Sequence, residues 1–290
     1  MGKVLVVGAS GLVGSHLVPA LAHQFEVHSV SRTLPESLRV LVQHHHPLDL
    51  SGHWDLGRLP KKVEVVVYLA QEDRFREFPD RAEDTFSVNT AVVLKMLEYA
   101  RNAGAATFIY ASSGGVYGGS DDGVLYEGRV SARGDLGFYV ATKICSEILV
   151  EAYASEMNVV TLRIFFAYGP GQKKEMLVPR LVGRVQRGEP VTLEGTDGLQ
   201  INPVHVRDVV DAVCASMELS GKHVINVAGP ETLSLRQMCM AIGDHLGIAP
   251  VFKVTDSAPA AVFVGDVSLM TELLGPPRRS FRQSLREICD

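Results

Sequence analysis

The opening stretch of the chain leaves few folds available. Lys3 to Val7 is a short apolar run rich in valine, the composition of a strand buried on both faces of a parallel sheet. Gly8, Gly11 and Gly14 follow at once, and Leu12 to Ala22 reads as a helix. Glycine permits a tight turn and lets a ligand approach the backbone closely. The helix start offers free N–H groups and a positive dipole end to a phosphate. The spacing is G-x-x-G-x-x-G rather than the G-x-G-x-x-G of the general dinucleotide fingerprint. Such a turn also serves as a plain strand-to-helix connection. With a strand before it and a helix after it, a nucleotide site is the favoured reading, with Gly8, Ser10, Gly11, Leu12, Val13 and Gly14 around the pyrophosphate.

The second strand, Glu26 to Val30, ends in Ser31-Arg32-Thr33. A site that prefers NAD usually carries an acidic residue here for the ribose 2′-hydroxyl. A small hydroxyl at Ser31 and a guanidinium at Arg32 suit a 2′-phosphate better. NADP is therefore preferred over NAD, the alternative being that Arg32 is a solvated loop charge.

Further strand candidates recur with helices between them: Val63–Leu69, Thr107–Ala111 and Val159–Phe165, with helices over Asp84–Asn102 and Leu136–Glu156. This alternation predicts an α/β fold, a Rossmann-type doubly wound parallel sheet. After Gly169-Pro170-Gly171 the rhythm changes to shorter strands around Val191–Leu193, Val204 and Val224–Val227, with helices around Val209–Leu219 and Ser234–Leu246. The expected division is a dinucleotide-binding domain over 1–170 and a smaller C-terminal α/β substrate-binding region over 171–290.

With 290 residues, 46% of them hydrophobic, the chain can bury a sizeable core, and a net charge of −5 with mixed signs gives no attraction to nucleic acid or membrane. No apolar run approaches the roughly 20 residues that span a bilayer, and no secretory signal is visible. Cys145, Cys214, Cys239 and Cys289 are scattered without C-x-x-C spacing, which reads as reduced thiols and a cytoplasmic location. His44-His45-His46 lacks ligand spacing for a metal and reads as a solvated strand end; no metal is expected. The helices around Asn89–Asn102 and Val140–Ala154 carry apolar residues on more than one face, the pattern of helices buried all round, which two subunits packed together would satisfy, the alternative being burial within one subunit by the C-terminal region.

Thr107 to Ala111 leads into Ser112 and Ser113. In a parallel sheet, ligand chemistry occurs at the carboxyl ends of the strands, so both serines are on the expected edge. Tyr139 and Lys143 stand at i and i+4 on one face of the following helix. A free tyrosine has a pKa near about 10 and is a poor base at neutral pH. A nearby ammonium lowers it. Tyr139 would then exchange a proton with a substrate hydroxyl as hydride moves, and Ser113 would hold the same substrate oxygen. Tyr-x-x-x-Lys alone is uninformative; it gains meaning from the glycine loop and the serine strand.

These motifs resemble the extended short-chain dehydrogenases/reductases of the NAD-dependent epimerase/dehydratase family. The similarity extends through Asp49-Leu50, Tyr68-Leu69-Ala70, Val88-Asn89, Tyr110 to Gly118, Leu162 to Pro170, Asn202 to Asp208 and Gly265-Asp266. It implies that Asp49 contacts adenine, with Leu50 beside it. It implies that Leu69, Ala70, Gln71, Ser112 and Phe166 line the cofactor groove, and that Lys143 also binds the nicotinamide ribose. It implies that Asn89 supports the active site at a helix kink, and that the protein is a homodimer acting on a small molecule. Three positions depart from the sugar-nucleotide enzymes. Phe166 stands for an Asn, and Ile201 and Phe263 stand for arginines that grip a nucleotide. Gly114-Gly115 replace the Asp-Glu of the dehydratase branch, which disfavours 4,6-dehydration. Three readings follow. One is an epimerase-type oxidoreductase acting at a secondary alcohol or ketone of a sugar or sugar-nucleotide-like substrate. Another is an NADP(H)-dependent reductase of a non-nucleotide ketone. The third is a non-catalytic NADP(H)-binding redox sensor, against which the intact Ser113, Tyr139 and Lys143 argue.

Overall fold

The computed structural model describes residues 2–118, 123–128, 137–255 and 260–289. The chain forms two compact units. The first comprises Met1–Val116, Ser131–Arg163 and Val210–Ile225; the second comprises Tyr117–Val130, Ile164–Val209 and Asn226–Asp290.

Strands are numbered along the chain: β1 (Lys3–Val7), β2 (Glu26–Ser31), β3 (His44–Pro47), β4 (Val65–Tyr68), β5 (Thr107–Ser113), β6 (Val124–Leu125), β7 (Asn158–Ile164), β8 (Val191–Glu194), β9 (Gln200–Ile201), β10 (Lys222–Val227), β11 (Leu233–Ser234), β12 (Phe252–Thr255) and β13 (Val262–Gly265). The large sheet has seven strands in the order β10-β7-β5-β4-β1-β2-β3. The pairs β1–β2, β1–β4, β2–β3 and β4–β5 are parallel. The chain leaves β1 towards β2 and β3, then crosses back to place β4 on the other side of β1. Ligands of doubly wound sheets bind at such a reversal, outside the carboxyl ends of the strands.

The elements form where their residues bury well. Val4, Leu5, Val6 and Val7 are fully buried, as a strand covered on both faces requires. Helix α1 (Leu12–Leu21) follows the glycine loop, and the short α2 (Glu36–Arg39) precedes β3. Helix α3 (Ala82–Phe86) runs through a π-helical turn at Ser87–Ala91 into α4 (Val92–Asn102). Helix α5 is Gly137–Ala152; Leu136, where the sequence started this helix, lies outside the described residues. Val92, Val93, Met96 and Leu97 pack into one core with Val66, Phe108, Tyr110 and Val150. Most of the apolar surface of α4 is thus buried within one chain, contrary to the all-round pattern read from the sequence. Leu94 and Ile148 remain exposed.

Two strands differ from expectation. Val224–Val227 belongs to β10, at one end of the large sheet. His44–Pro47 forms β3 at the other, with His28 ring-stacked on His46 and bonded to it at 3.3 Å. His45 and His46 therefore pack partly against β2, whereas His44 is exposed, as a solvated strand end would be. Among the described residues no group of three His, Cys, Asp or Glu is arranged to hold a metal ion.

The second unit has a four-stranded sheet, β11-β9-β13-β6, and a two-stranded one, β12-β8. Its helix Leu235–Leu246 starts at a capping box: Gln237 N donates to Ser234 Oγ at 3.1 Å and Ser234 N donates to Gln237 Oε1 at 2.8 Å. It ends at Gly247 in the left-handed conformation. Ile201, Met238, Ile242 and Phe281 are among its buried core.

Candidate active site

The chain turns at Gly8, whose φ is 92°. A Cβ there would lie 2.7 Å from the Ala70 nitrogen and 2.9 Å from the Leu69 carbonyl carbon, so only glycine lets this loop run against the backbone that follows β4. A Cβ at Gly14 would meet the Gly8 oxygen at 2.3 Å, so glycine also seats α1 on the loop. Gly11 is the N-cap of α1 in extended conformation, with no side-chain cap and no acidic residue in the first turn. The N–H groups of Leu12, Val13 and Gly14 have no acceptor within the helix. Exposed Ser10 and Gly11 complete an anion cradle that fits the pyrophosphate of a dinucleotide.

The adenosine-side residues are placed around this loop. Ser31 is buried and donates to the Thr33 carbonyl at 2.8 Å. Arg32 pairs with Asp73 at 2.6 Å. Arg32 follows β2 and Asp73 follows β4, the two neighbours of β1, so the ion pair reaches across the β1 end. Asp49 accepts from Ser51 N at 3.1 Å and Ser51 Oγ at 2.7 Å. Those two bonds, with the Arg32 charge as a lesser cause, hold its carboxyl below the ordinary carboxylate range. Leu50 packs in the core, whereas Leu69 and Ala70 are half-buried beside Gly8. Phe166 lies in the second unit with a φ of 45°, a strained value for a side chain of this size.

Tyr139 and Lys143 face β5, as their spacing requires. The Lys143 side chain is buried and its Nζ donates to the Ala111 carbonyl at 2.8 Å. It stands 5.1 Å over the Tyr110 ring and 5.8 Å over the Tyr139 ring. Burial lowers its pKa to about 8, against the opposing attraction of Glu147. The half-buried Tyr139 donates to Gln71 Oε1 at 3.1 Å, and its ring packs on Phe75 at 4.4 Å. Burial raises the phenol to about 12, while a hydrogen bond with Ser113 and the charge of Arg76 pull it down.

The sequence expectation is that Lys143 acidifies the phenol; the structure places both Lys143 and Arg76 near it. The ammonium makes its near contact with a backbone carbonyl and stands 5.8 Å from the Tyr139 ring, burial raises the phenol, and the charge of Arg76 pulls it back.

Asn89 supports this group from behind. It lies in the π-helical turn, where Asn89 Oδ1 accepts from Glu72 N at 3.0 Å and Asn89 Nδ2 donates to Thr142 Oγ1 at 3.1 Å. Thr142 Oγ1 donates to the Tyr139 carbonyl at 2.6 Å. The turn also frees carbonyls: that of Val88 accepts from Tyr68 OH and that of Asn89 from Ser146 Oγ. Asn89 thus holds the helix backbone at Tyr139 and touches neither reactive group among the described contacts. Ser112 is buried and donates to Glu147, which takes Arg163 in two-pronged fashion, Nη2 to Oε2 at 2.7 Å and Nε to Oε1 at 3.1 Å.

Sequence reasoning missed Arg76, Thr142, Glu147 and Arg163, and gave Gln71 to the cofactor rather than to the phenol. Glu147 alone carried a signal, since it repeats the four-residue spacing of Tyr139 and Lys143.

A glycine-cradled helix start at the reversal of a doubly wound sheet, with a tyrosine and a lysine of helix α5 packed against the carboxyl end of β5, defines a short-chain dehydrogenase type of site. Comparisons with known proteins agree. The chain belongs to the NAD dependent epimerase/dehydratase family, whose model matches residues 4–228. It is 27% identical over 309 residues to a dTDP-4-dehydro-6-deoxy-D-allose reductase from a Streptomyces species, covering 98% of this chain and 94% of that protein. Among solved structures it is similar to MoeE5 in complex with UDP-glucose and NAD (28% identity, TM-score 0.84, 99% of this chain and 97% of that one). It is also similar to the UDP-glucuronic acid 4-epimerase of Bacillus cereus in complex with UDP-glucuronic acid and NAD (25% identity, TM-score 0.86, 99% and 98%). Among the described residues no helix is long and apolar enough to cross a membrane.

Proposed function

We propose that this protein is an NAD-dependent epimerase-type oxidoreductase that moves hydride at a secondary alcohol or ketone of a sugar or sugar-nucleotide-like substrate. The observation that carries the reading is the packing of Tyr139 and Lys143 against the Ala111–Ser113 end of β5. Bound NAD supplies the hydride acceptor and a positive charge that favours the phenolate. Tyr139 takes the proton of the substrate hydroxyl during oxidation and returns it during reduction. Ser113 holds the substrate oxygen, and Lys143 supplies the cation that a buried phenolate needs.

NAD rather than NADP follows from Arg32. The sequence offered it to a 2′-phosphate, but its guanidinium is engaged by Asp73, so a phosphate would have to displace that carboxylate. The structural relatives named above were solved with NAD.

A second reading, reduction of a ketone without a nucleotide, is favoured by one observation. Ile201, Phe166 and Phe263 gather in one apolar cluster of the second unit, with Phe166 and Phe263 edge to face at 6.4 Å. The bidentate arginine donors that suit a diphosphate are absent from these positions.

The test is to incubate purified protein, with and without added NAD, with UDP-glucose and separately with UDP-glucuronic acid, following anomeric protons by NMR. A new 4-epimer without net NADH supports the first reading. No turnover of either, together with NADH-dependent reduction of small ketones, supports the second. Failure of both assays with intact NAD binding would reject hydride-transfer catalysis.

A further inference from the structure

We propose that Gln71 is a positioning residue for Tyr139: its amide accepts from the phenol and, turned over, donates to the phenolate, so that one partner holds the same oxygen in both protonation states. The Tyr139 hydroxyl donates to Gln71 Oε1 at 3.1 Å. A carboxamide carries an acceptor at one corner and a donor at the other, which neither a carboxylate nor an ammonium does. The segment that bears it meets the tyrosine twice, because Phe75 packs on the Tyr139 ring at 4.4 Å.

The geometry joins a pinned backbone to a tip that can turn. Leu69 N donates to the Val7 carbonyl at 2.8 Å and Glu72 N donates to Asn89 Oδ1 at 3.0 Å, so the chain is held on both sides of Gln71. Asn89 Nδ2 donates to Thr142 Oγ1 at 3.1 Å, and Thr142 Oγ1 donates to the Tyr139 carbonyl at 2.6 Å. One closed circuit thus grips the tyrosine at its backbone and at its hydroxyl. The Gln71 side chain is exposed, and among the described residues its amide bonds only Tyr139. It can exchange its two corners without breaking another of these contacts. Asn89, fully buried and bonded at both corners, cannot.

The charged and titratable groups facing the phenol among the described residues are Arg76 after β4, Lys143 on its own helix and Tyr110 on β5. Gln71 adds no charge to them. Its oxygen favours the neutral phenol and its nitrogen the phenolate. A hydrogen bond to an ionised acceptor is stronger than one to a neutral group, so an amide that turns favours the phenolate on balance.

The value of this for turnover rests on the hydride-transfer reading, in which Tyr139 takes and returns the substrate's hydroxyl proton. The test reads the phenol itself and stands or falls separately. Protein labelled with [ζ-13C]tyrosine is titrated by NMR at saturating NAD, with the Tyr139 signal assigned by its loss in Tyr139→Phe. Gln71→Met keeps the length of the side chain and removes both hydrogen-bonding corners. It should raise the Tyr139 midpoint by about half a unit to one unit. Gln71→Glu keeps an acceptor, loses the donor and adds a negative charge, and should raise the midpoint further. The side chain is exposed, so both variants should melt as the parent does. These shifts, found in protein that turns over no substrate, support the positioning role and count against the reading it serves. A midpoint lowered in Gln71→Met would show an amide fixed as an acceptor, and an unchanged one would show that it has no hold on the phenol. Either overturns the proposal, as does a Gln71→Glu midpoint at or below that of Gln71→Met.

Discussion

The Lys143 ammonium donates to the Ala111 carbonyl at 2.8 Å, on the strand residue two before the serine that bonds Tyr139. The contact fixes a long, flexible side chain by its tip. It also explains why a lysine tolerates such burial: one strong acceptor, two aromatic faces within 6 Å and the Glu147 carboxylate one turn away replace part of its hydration.

Tyr139→Phe should keep the fold and NAD affinity and lose about 10²–10⁴ of turnover, the usual contribution of a positioned general acid–base group. Lys143→Ala should lower both turnover and NAD affinity. Turnover and calorimetric NAD titrations of the same preparations check both. Parent-like turnover in Tyr139→Phe would remove the phenol from the chemistry.

The lysine also sets a pH dependence of stability. Its folded pKa is lowered to about 8 from 10.5. Between those values the unfolded chain holds a proton that the folded protein has released, so this group makes stability rise with pH across that window. Below about 8 both states are charged and the fold bears the full cost of the buried cation. Urea melts at pH 7.5 and 9.5 should therefore show a smaller gain, or a larger loss, at the higher pH in Lys143→Met than in the parent.

Local pattern carried much of this fold. The valine run of β1, the glycine loop and the four-residue repeat of Tyr139 and Lys143 are short-range signals, read directly from sequence. What escaped was set by distant partners. His44–Pro47 was legible only as a solvated strand end, because it has no alternating apolar pattern and the packing of His45 and His46 comes from pairing with β2. Residues 222–227 follow the smaller strands in sequence and yet end the large sheet, because strand order depends on long-range packing. Arg32 looked free because its partner Asp73 lies 41 residues on, and Glu147 went unnoticed because Arg163 comes from another strand.

The Arg32–Asp73 pair predicts cofactor choice. Asp73→Asn frees the guanidinium and removes a negative charge from the adenosine side. NADP binding should strengthen by about tenfold relative to NAD, the scale of one charge-assisted hydrogen bond at an exposed site. Arg32→Ala in the same background should cancel the gain. Titration of each protein with both cofactors decides it; a parent that already prefers NADP would show that Asp73 yields to the phosphate and would restore the preference read from the sequence.

Assembly is the remaining expectation. Leu94 on α4 and Ile148 on α5 are 38% and 63% exposed, and Cys145 beside Ile148 is exposed as well. Most other apolar residues of these helices are already covered within the chain, so a dimer formed here would bury a small apolar patch, not two whole helices. Such an interface is sensitive to single charges, because an ion left unpaired on burial is costly. If α4 and α5 meet their copies, the parent should have a dimer mass by light scattering at micromolar concentration, and Ile148→Glu should be a monomer with a largely unchanged melt. A monomeric parent, or a dimer indifferent to Ile148→Glu and Leu94→Lys together, would place any contact between subunits elsewhere.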